Sequence, residues 1–169
     1  MTTFKRFVLS LTFGVMLAAF APLSAAFAAS TPPVYQLKSA AYTSECLDVY
    51  GNSARVGTPV GLYKCNTSDP AQRFAFGANA KKYVQIYFKP NLTVGEVKVG
   101  NTEVAELVSN TSSSSYMTDS VVSPSHLTFN FLAGGALTDT GTGSPASFKT
   151  ATFKPNTKAS DQVWQFVQL

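Results

Sequence analysis

Beyond its N-terminal apolar stretch, the chain places its hydrophobic residues in short bursts. Tyr83–Phe88, Val94–Val99, Val104–Val108, Leu127–Leu132 and Val163–Val167 are rich in β-branched and aromatic residues. Turn residues punctuate the chain at Gly51-Asn52, Lys89-Pro90-Asn91, Gly100-Asn101 and Gly134-Gly135. Within strands, side chains two apart share a face, so Phe74 and Phe76 point one way, as do Trp164 and Phe166. No long apolar pattern of helical period appears after the N-terminus. Many short strands separated by turns predict an all-β sandwich or barrel. Ser109–Ser115 is a serine-rich stretch, expected to form a surface loop.

Part of the pattern recurs. Tyr63-Lys64-Cys65-Asn66-Thr67 returns as Phe153-Lys154-Pro155-Asn156-Thr157. In each copy a Gln lies nine residues after the aromatic, Gln72 and Gln162, and opens a Gln-x-aromatic-x-Phe strand. Asp48 precedes Gln72 by 24 residues, and Asp139 precedes Gln162 by 23. A weaker middle copy is expected to end at Phe129-Asn130-Phe131, with Leu127 in the Gln position. Self-similarity of this kind predicts repeated units sharing one core, here about 34–76, 77–131 and 132–169.

The segment Glu45–Phe76 carries the candidate chemistry. It holds Cys46-Leu47-Asp48, the turn Gly51-Asn52, Leu62-Tyr63-Lys64-Cys65 and Gln72-Arg73-Phe74. In order and spacing this resembles one repeat of the ricin B-type lectins, with their Cys-Leu-Asp, Leu-Trp/Tyr-x-Cys and Gln-x-Trp motifs. The resemblance implies a β-trefoil, three related four-stranded units around a pseudo-threefold axis; a small sandwich is the alternative. It also implies a Cys46–Cys65 disulfide and a carbohydrate site at Asp48, Tyr63 and Gln72. A sugar needs a fixed carboxylate to accept its hydroxyl protons, an aromatic face for its C–H patch, and an amide that donates and accepts. Each residue also has a structural alternative: Asp48 in a turn, Tyr63 in the core, Gln72 as a brace. Two departures weaken the site, because Ala71 and Gly61 stand where the family often has polar residues. Asp139, Phe153 and Gln162 form a possible second carbohydrate site. The middle unit shows no comparable triad.

The N-terminus sets the compartment. Lys5 and Arg6 precede the apolar run Phe7–Phe20, and Ala26-Phe27-Ala28 is a small-x-small cleavage signal. We expect residues 1–28 to be a cleaved signal peptide and 29–169 an exported domain, secreted or periplasmic. Two cysteines in an exported chain fit one disulfide. Without Lys5 and Arg6, the 13 basic side chains fall to 11 against 9 acidic ones, a formal charge of +2 rather than +4. The basic residues are scattered, which argues against nucleic acid, and nothing after the leader is long and apolar enough to span a bilayer.

Enzymatic chemistry finds no motif. One His, His126, and two Cys leave a zinc site short of ligands, and no Ser-His-Asp or phosphate-binding pattern occurs. A glycosidase carboxylate pair is not visible in sequence. The expectation is a non-catalytic module with no cofactor or metal, recognising terminal sugars such as galactose. The alternative is a trefoil with decayed sugar sites that acts as a protein-interaction or cell-binding subunit of a secreted toxin or enzyme complex. Lectin-like subunits such as those of cytolethal distending toxin are examples.

Overall fold

The computed structural model describes residues 32–76, 84–131, 134–141 and 148–169. The expected signal peptide lies outside the described residues, as do Tyr83 and Leu132 at the ends of two expected strands. Thirteen strands follow in order: β1 (Tyr35–Ser39), β2 (Glu45–Val49), β3 (Val60–Lys64), β4 (Phe74–Phe76), β5 (Val84–Ile86), β6 (Leu92–Val99), β7 (Thr102–Ser109), β8 (Met117–Ser123), β9 (His126–Phe131), β10 (Ala136–Thr138), β11 (Lys149–Thr150), β12 (Thr152–Lys154) and β13 (Trp164–Gln168). Their pairing runs β1-β13-β9-β10-β12-β7-β6-β5-β4 and returns to β1 through Tyr35 opposite Phe74. The sheet closes on itself, which removes the free edges that an open sheet would expose.

Three short 3₁₀ turns mark the internal symmetry: Pro70–Gln72, Ser113–Ser115 and Ser160–Gln162. Each ends two residues before a strand that closes a unit, β4, β8 or β13. The equivalence extends to the register. Phe76 opposes Val84, Asp119 opposes Phe129, and Phe166 opposes Leu37, three versions of one contact between a closing strand and the next opening one. The units are therefore β1–β4, β5–β8, and β9, β10, β12 and β13. The chain is a β-trefoil.

The middle unit closes elsewhere than its sequence implied. Phe129-Asn130-Phe131 lies on β9, which opens the third unit. The second ends on β8, with Ser115 in the position of Gln72 and Gln162. The three-phenylalanine reading was off because Asp119 occupies the place of Phe76 and Phe166. Phe129, from across the ladder, completes the ring cluster instead. Its centroid lies 6.0 Å from both Phe76 and Phe166, which are 5.0 Å from each other. Phe131 packs on Phe153 at 4.8 Å.

The core is the alternate face of these strands. Leu37, Leu47, Leu62, Phe74, Ile86, Leu107, Phe129, Leu137 and Trp164 are fully buried. Burying a side chain of this size contributes about 1.5–3 kcal/mol. Trp164 keeps its polar end satisfied by donating Nε1–H to the Leu137 carbonyl at 3.1 Å. In the first unit, the Cys46–Cys65 disulfide ties β2 to the end of β3, with 4.9 Å between the Cα atoms. It closes a loop of roughly 20 residues, a constraint of about 3 kcal/mol on the chain-entropy account.

Candidate functional site

Asp48 sits on β2 opposite Gly61 on β3. β2 is buried along its whole length, so Asp48 enters the fold at only 6% exposure. Gln72 makes that burial tolerable. Its Nε2 donates to Asp48 Oδ2 at 2.9 Å and to the Lys64 carbonyl at 2.9 Å. Its Oε1 accepts from Gln36 Nε2 at 2.7 Å and from the Asn66 amide at 2.8 Å. Gln72 is fully buried and its amide is saturated. It cannot reach a ligand; it positions Asp48 and ties three segments together. This corrects the expectation that Gln72 itself contacts sugar.

The other oxygen of Asp48 has no hydrogen bond among the described residues. The carboxylate lines a pocket of about 210 Å³ with Tyr50, Gly51, Asn52, Tyr63, Asp69 and Phe148. Burial pushes the Asp48 carboxyl from its usual 3.8 up to about 6; the Gln72 hydrogen bond opposes this, and the nearby Asp69 charge adds to it. Tyr63, next to Leu62, lies on the opposite face of β3 from that core residue and is 38% exposed. Carboxylate and ring thus line one pocket.

Four lining residues escaped the sequence reading. Tyr50 and Asn52 come from the turn after β2, where Gly51 at φ 60° and Asn52 at φ 54° both take left-handed backbone. Glycine and asparagine adopt that region most readily, so the turn signal was present. Asp69 caps the Pro70–Gln72 turn by accepting from the Ala71 amide at 2.9 Å. An Asp before Pro is a cap signal, but nothing local aims it at a pocket. Phe148 comes from the third unit, 100 residues after Asp48 in the chain, and no local pattern could place it. Ala71 is buried in the core, so the family's polar group at that position has no counterpart here.

The second proposed site does not assemble. Gln162 donates to Thr138 Oγ1 at 3.2 Å, 24 residues earlier, as Gln72 donates to Asp48 24 residues earlier. Thr138 pairs with Thr152, and Leu137 with Phe153, where the first unit pairs Asp48 with Gly61 and Leu47 with Leu62. Phe153 is therefore the core counterpart of Leu62 and is buried. Lys154 stands where Tyr63 stands. Asp139 is one residue beyond the carboxylate position. A slip of one residue along a strand exchanges its two faces, and the recurring pentapeptide is offset by that one residue. Gln162 is a brace too, accepting from the Thr157 amide at 2.8 Å and donating to the Pro155 carbonyl at 2.9 Å. Asp139 is buried near Ser39, Glu45, Gly141 and Lys149, and that burial raises its carboxyl above the usual range.

No protein-family model matches the sequence, and neither does any curated protein. Solved structures do resemble it. The Rhizoctonia solani agglutinin superposes with a TM-score of 0.65 at 18% identity, over 82% of this chain and 96% of that one. The Macrolepiota procera ricin B-like lectin, solved in complex with lactose, gives 0.63 at 10% identity over 81% and 96%. A mosquitocidal holotoxin gives 0.69 at 16% identity; the match covers 82% of this chain and 17% of that much longer one. Identities this low establish the fold that the strand register had already defined: a β-trefoil of the architecture seen in ricin B-like lectins.

Proposed function

We propose that this chain is an exported, non-catalytic carbohydrate-binding module whose first unit binds a neutral terminal hexose, galactose in the first instance. The observation that carries this reading is the pairing of a braced carboxylate, Asp48, with the exposed Tyr63 ring in one small pocket. The free carboxylate oxygen accepts hydroxyl protons, and the ring covers the sugar's C–H face. Among the described residues, two carboxylates, Asp48 and Asp69, and no basic side chain line the pocket, so a neutral ligand suits it better than an anion. The likeness to an agglutinin and to a lectin solved with lactose supports the same reading.

A second reading has its own support. Two of the three units lack the Asp48 and Tyr63 pair, and one similar structure is a segment of a far larger toxin. A trefoil of that kind would act as a protein-contacting subunit. A broad glycan array probed with the mature chain separates the two: signals on galactose-terminated glycans support sugar binding, and a blank array gives the case to protein contacts.

A further inference from the structure

β11 contains two residues, and the trefoil plan of four strands per unit has no place for it. It belongs to the connection between β10 and β12 of the third unit, yet it pairs with β3 of the first, Lys149 opposite Leu62 and Thr150 opposite Gly61. Several contacts pin it there. The Ala151 amide donates to the Val60 carbonyl at 3.0 Å, Thr140 Oγ1 donates to the Thr150 carbonyl at 2.8 Å, and Lys149 Nζ lies 3.4 Å from Glu45 Oε1. Gly61 is what permits the approach: a Cβ there would lie 1.8 Å from the Lys149 carbonyl oxygen, inside any allowed contact. The residue that looked like a lost polar contact is thus the gap through which a foreign strand docks.

The residue just before this anchored strand is Phe148. Its ring lies 4.9 Å from that of Tyr50, inclined by 60°, and both line the Asp48 pocket. Phe148 is outside the hydrophobic core cluster, and Tyr50 is 55% exposed. A second groove, along Ser53, Arg55, Val56 and Pro59, continues from the pocket and shares Tyr50 and Gly51 with it. One pyranose is served by Asp48 and Tyr63 alone. A second, pre-positioned aromatic wall, beside a groove leading onward, is more than a single ring requires.

We infer that Phe148, delivered from the third unit onto the first, contacts the ligand, and that the Tyr50–Phe148 wall receives a second sugar ring. The site then takes a disaccharide, or the end of a longer glycan, rather than one terminal sugar. This rests on reading the Asp48 pocket as a sugar site. The test is calorimetric titration of the mature protein with galactose and with lactose, for wild type, Asp48→Ala and Phe148→Ala. Wild type should bind lactose about tenfold more tightly than galactose, an advantage typical of one aromatic contact. Phe148→Ala should erase that advantage, weakening lactose about tenfold more than it weakens galactose, and Asp48→Ala should lose both sugars. If Phe148→Ala fails to give a wild-type circular dichroism spectrum, Phe148→Leu keeps the apolar bulk without the flat face and should show the same loss. Equal wild-type affinity for the two sugars, or an advantage that survives both Phe148 variants, overturns the inference while the sugar site stands. Wild type binding neither sugar, or Asp48→Ala binding both normally, overturns the sugar site and the inference with it.

Discussion

At Asp48, burial and ligand binding act on the same carboxyl. Desolvation holds its pKa near 6, against the hydrogen bond from Gln72. Accepting two hydroxyl protons requires the ionised form, so sugar affinity should fall as pH drops through 6. Between pH 7 and pH 5 the ionised fraction, and with it the apparent affinity for galactose, should decline roughly tenfold. Titrations at a series of pH values check this, and a flat profile would detach Asp48 from the ligand. The two glutamines divide differently. Gln72→Leu and Gln162→Leu each strand several buried partners, so each should destabilise the fold by about 2–4 kcal/mol in urea unfolding. Gln72→Leu alone should weaken sugar binding, because Gln162 orients Thr138, not a carboxylate.

Among the elements, the β6–β7 hairpin carries a conflict of its own. Glu96 is buried at 5% exposure, opposite Ala105 and one diagonal step from Glu103. Burial first, and the Glu103 carboxylate second, raise its pKa from 4.5 to about 7. The unfolded chain ionises Glu96 near 4.5, whereas the folded chain resists until about 7. Its contribution to stability is therefore complete below pH 4.5 and is lost as pH rises to 7. Asp48 and Asp139 are shifted the same way. The protein should be more stable at pH 5 than at pH 8, and Glu96→Gln should flatten much of that difference in calorimetric melts. A stability maximum near pH 8 in wild type would refute the assignment. The elements also show how far the sequence could be read. Alternation and turn residues located β5, β6, β7, β9 and β13 among the thirteen strands, and the Gln-x-aromatic-x-Phe motif located β4 and again β13. The register of the third unit was hidden: Asp139 at 23 residues and Thr138 at 24 differ by one position, and one position decides which face a side chain takes. The middle unit was hidden because Asp119 and Ser115 replace the aromatic and the glutamine that marked the other two.

At the scale of the molecule, three similar units share one core while the pocket is built on one of them. The disulfide, the braced carboxylate and the exposed Tyr63 belong to the first unit, and the third contributes Phe148. That last contribution brings Phe148 against Tyr50, 98 positions earlier in the chain, through a docked two-residue strand. It was illegible in the sequence because it depends on closure of the whole barrel. One shallow pocket per chain fits a dissociation constant near a millimolar, on the order of −4 kcal/mol, and strong attachment to a glycan surface then calls for several copies acting together. The most direct test of the account is a ligand-observed NMR titration of galactose against wild-type protein and Asp48→Ala, after circular dichroism has verified that the variant is folded. The account predicts saturable, millimolar binding by wild type and none by Asp48→Ala. Equal binding by the two proteins, or no binding by wild type, would contradict it.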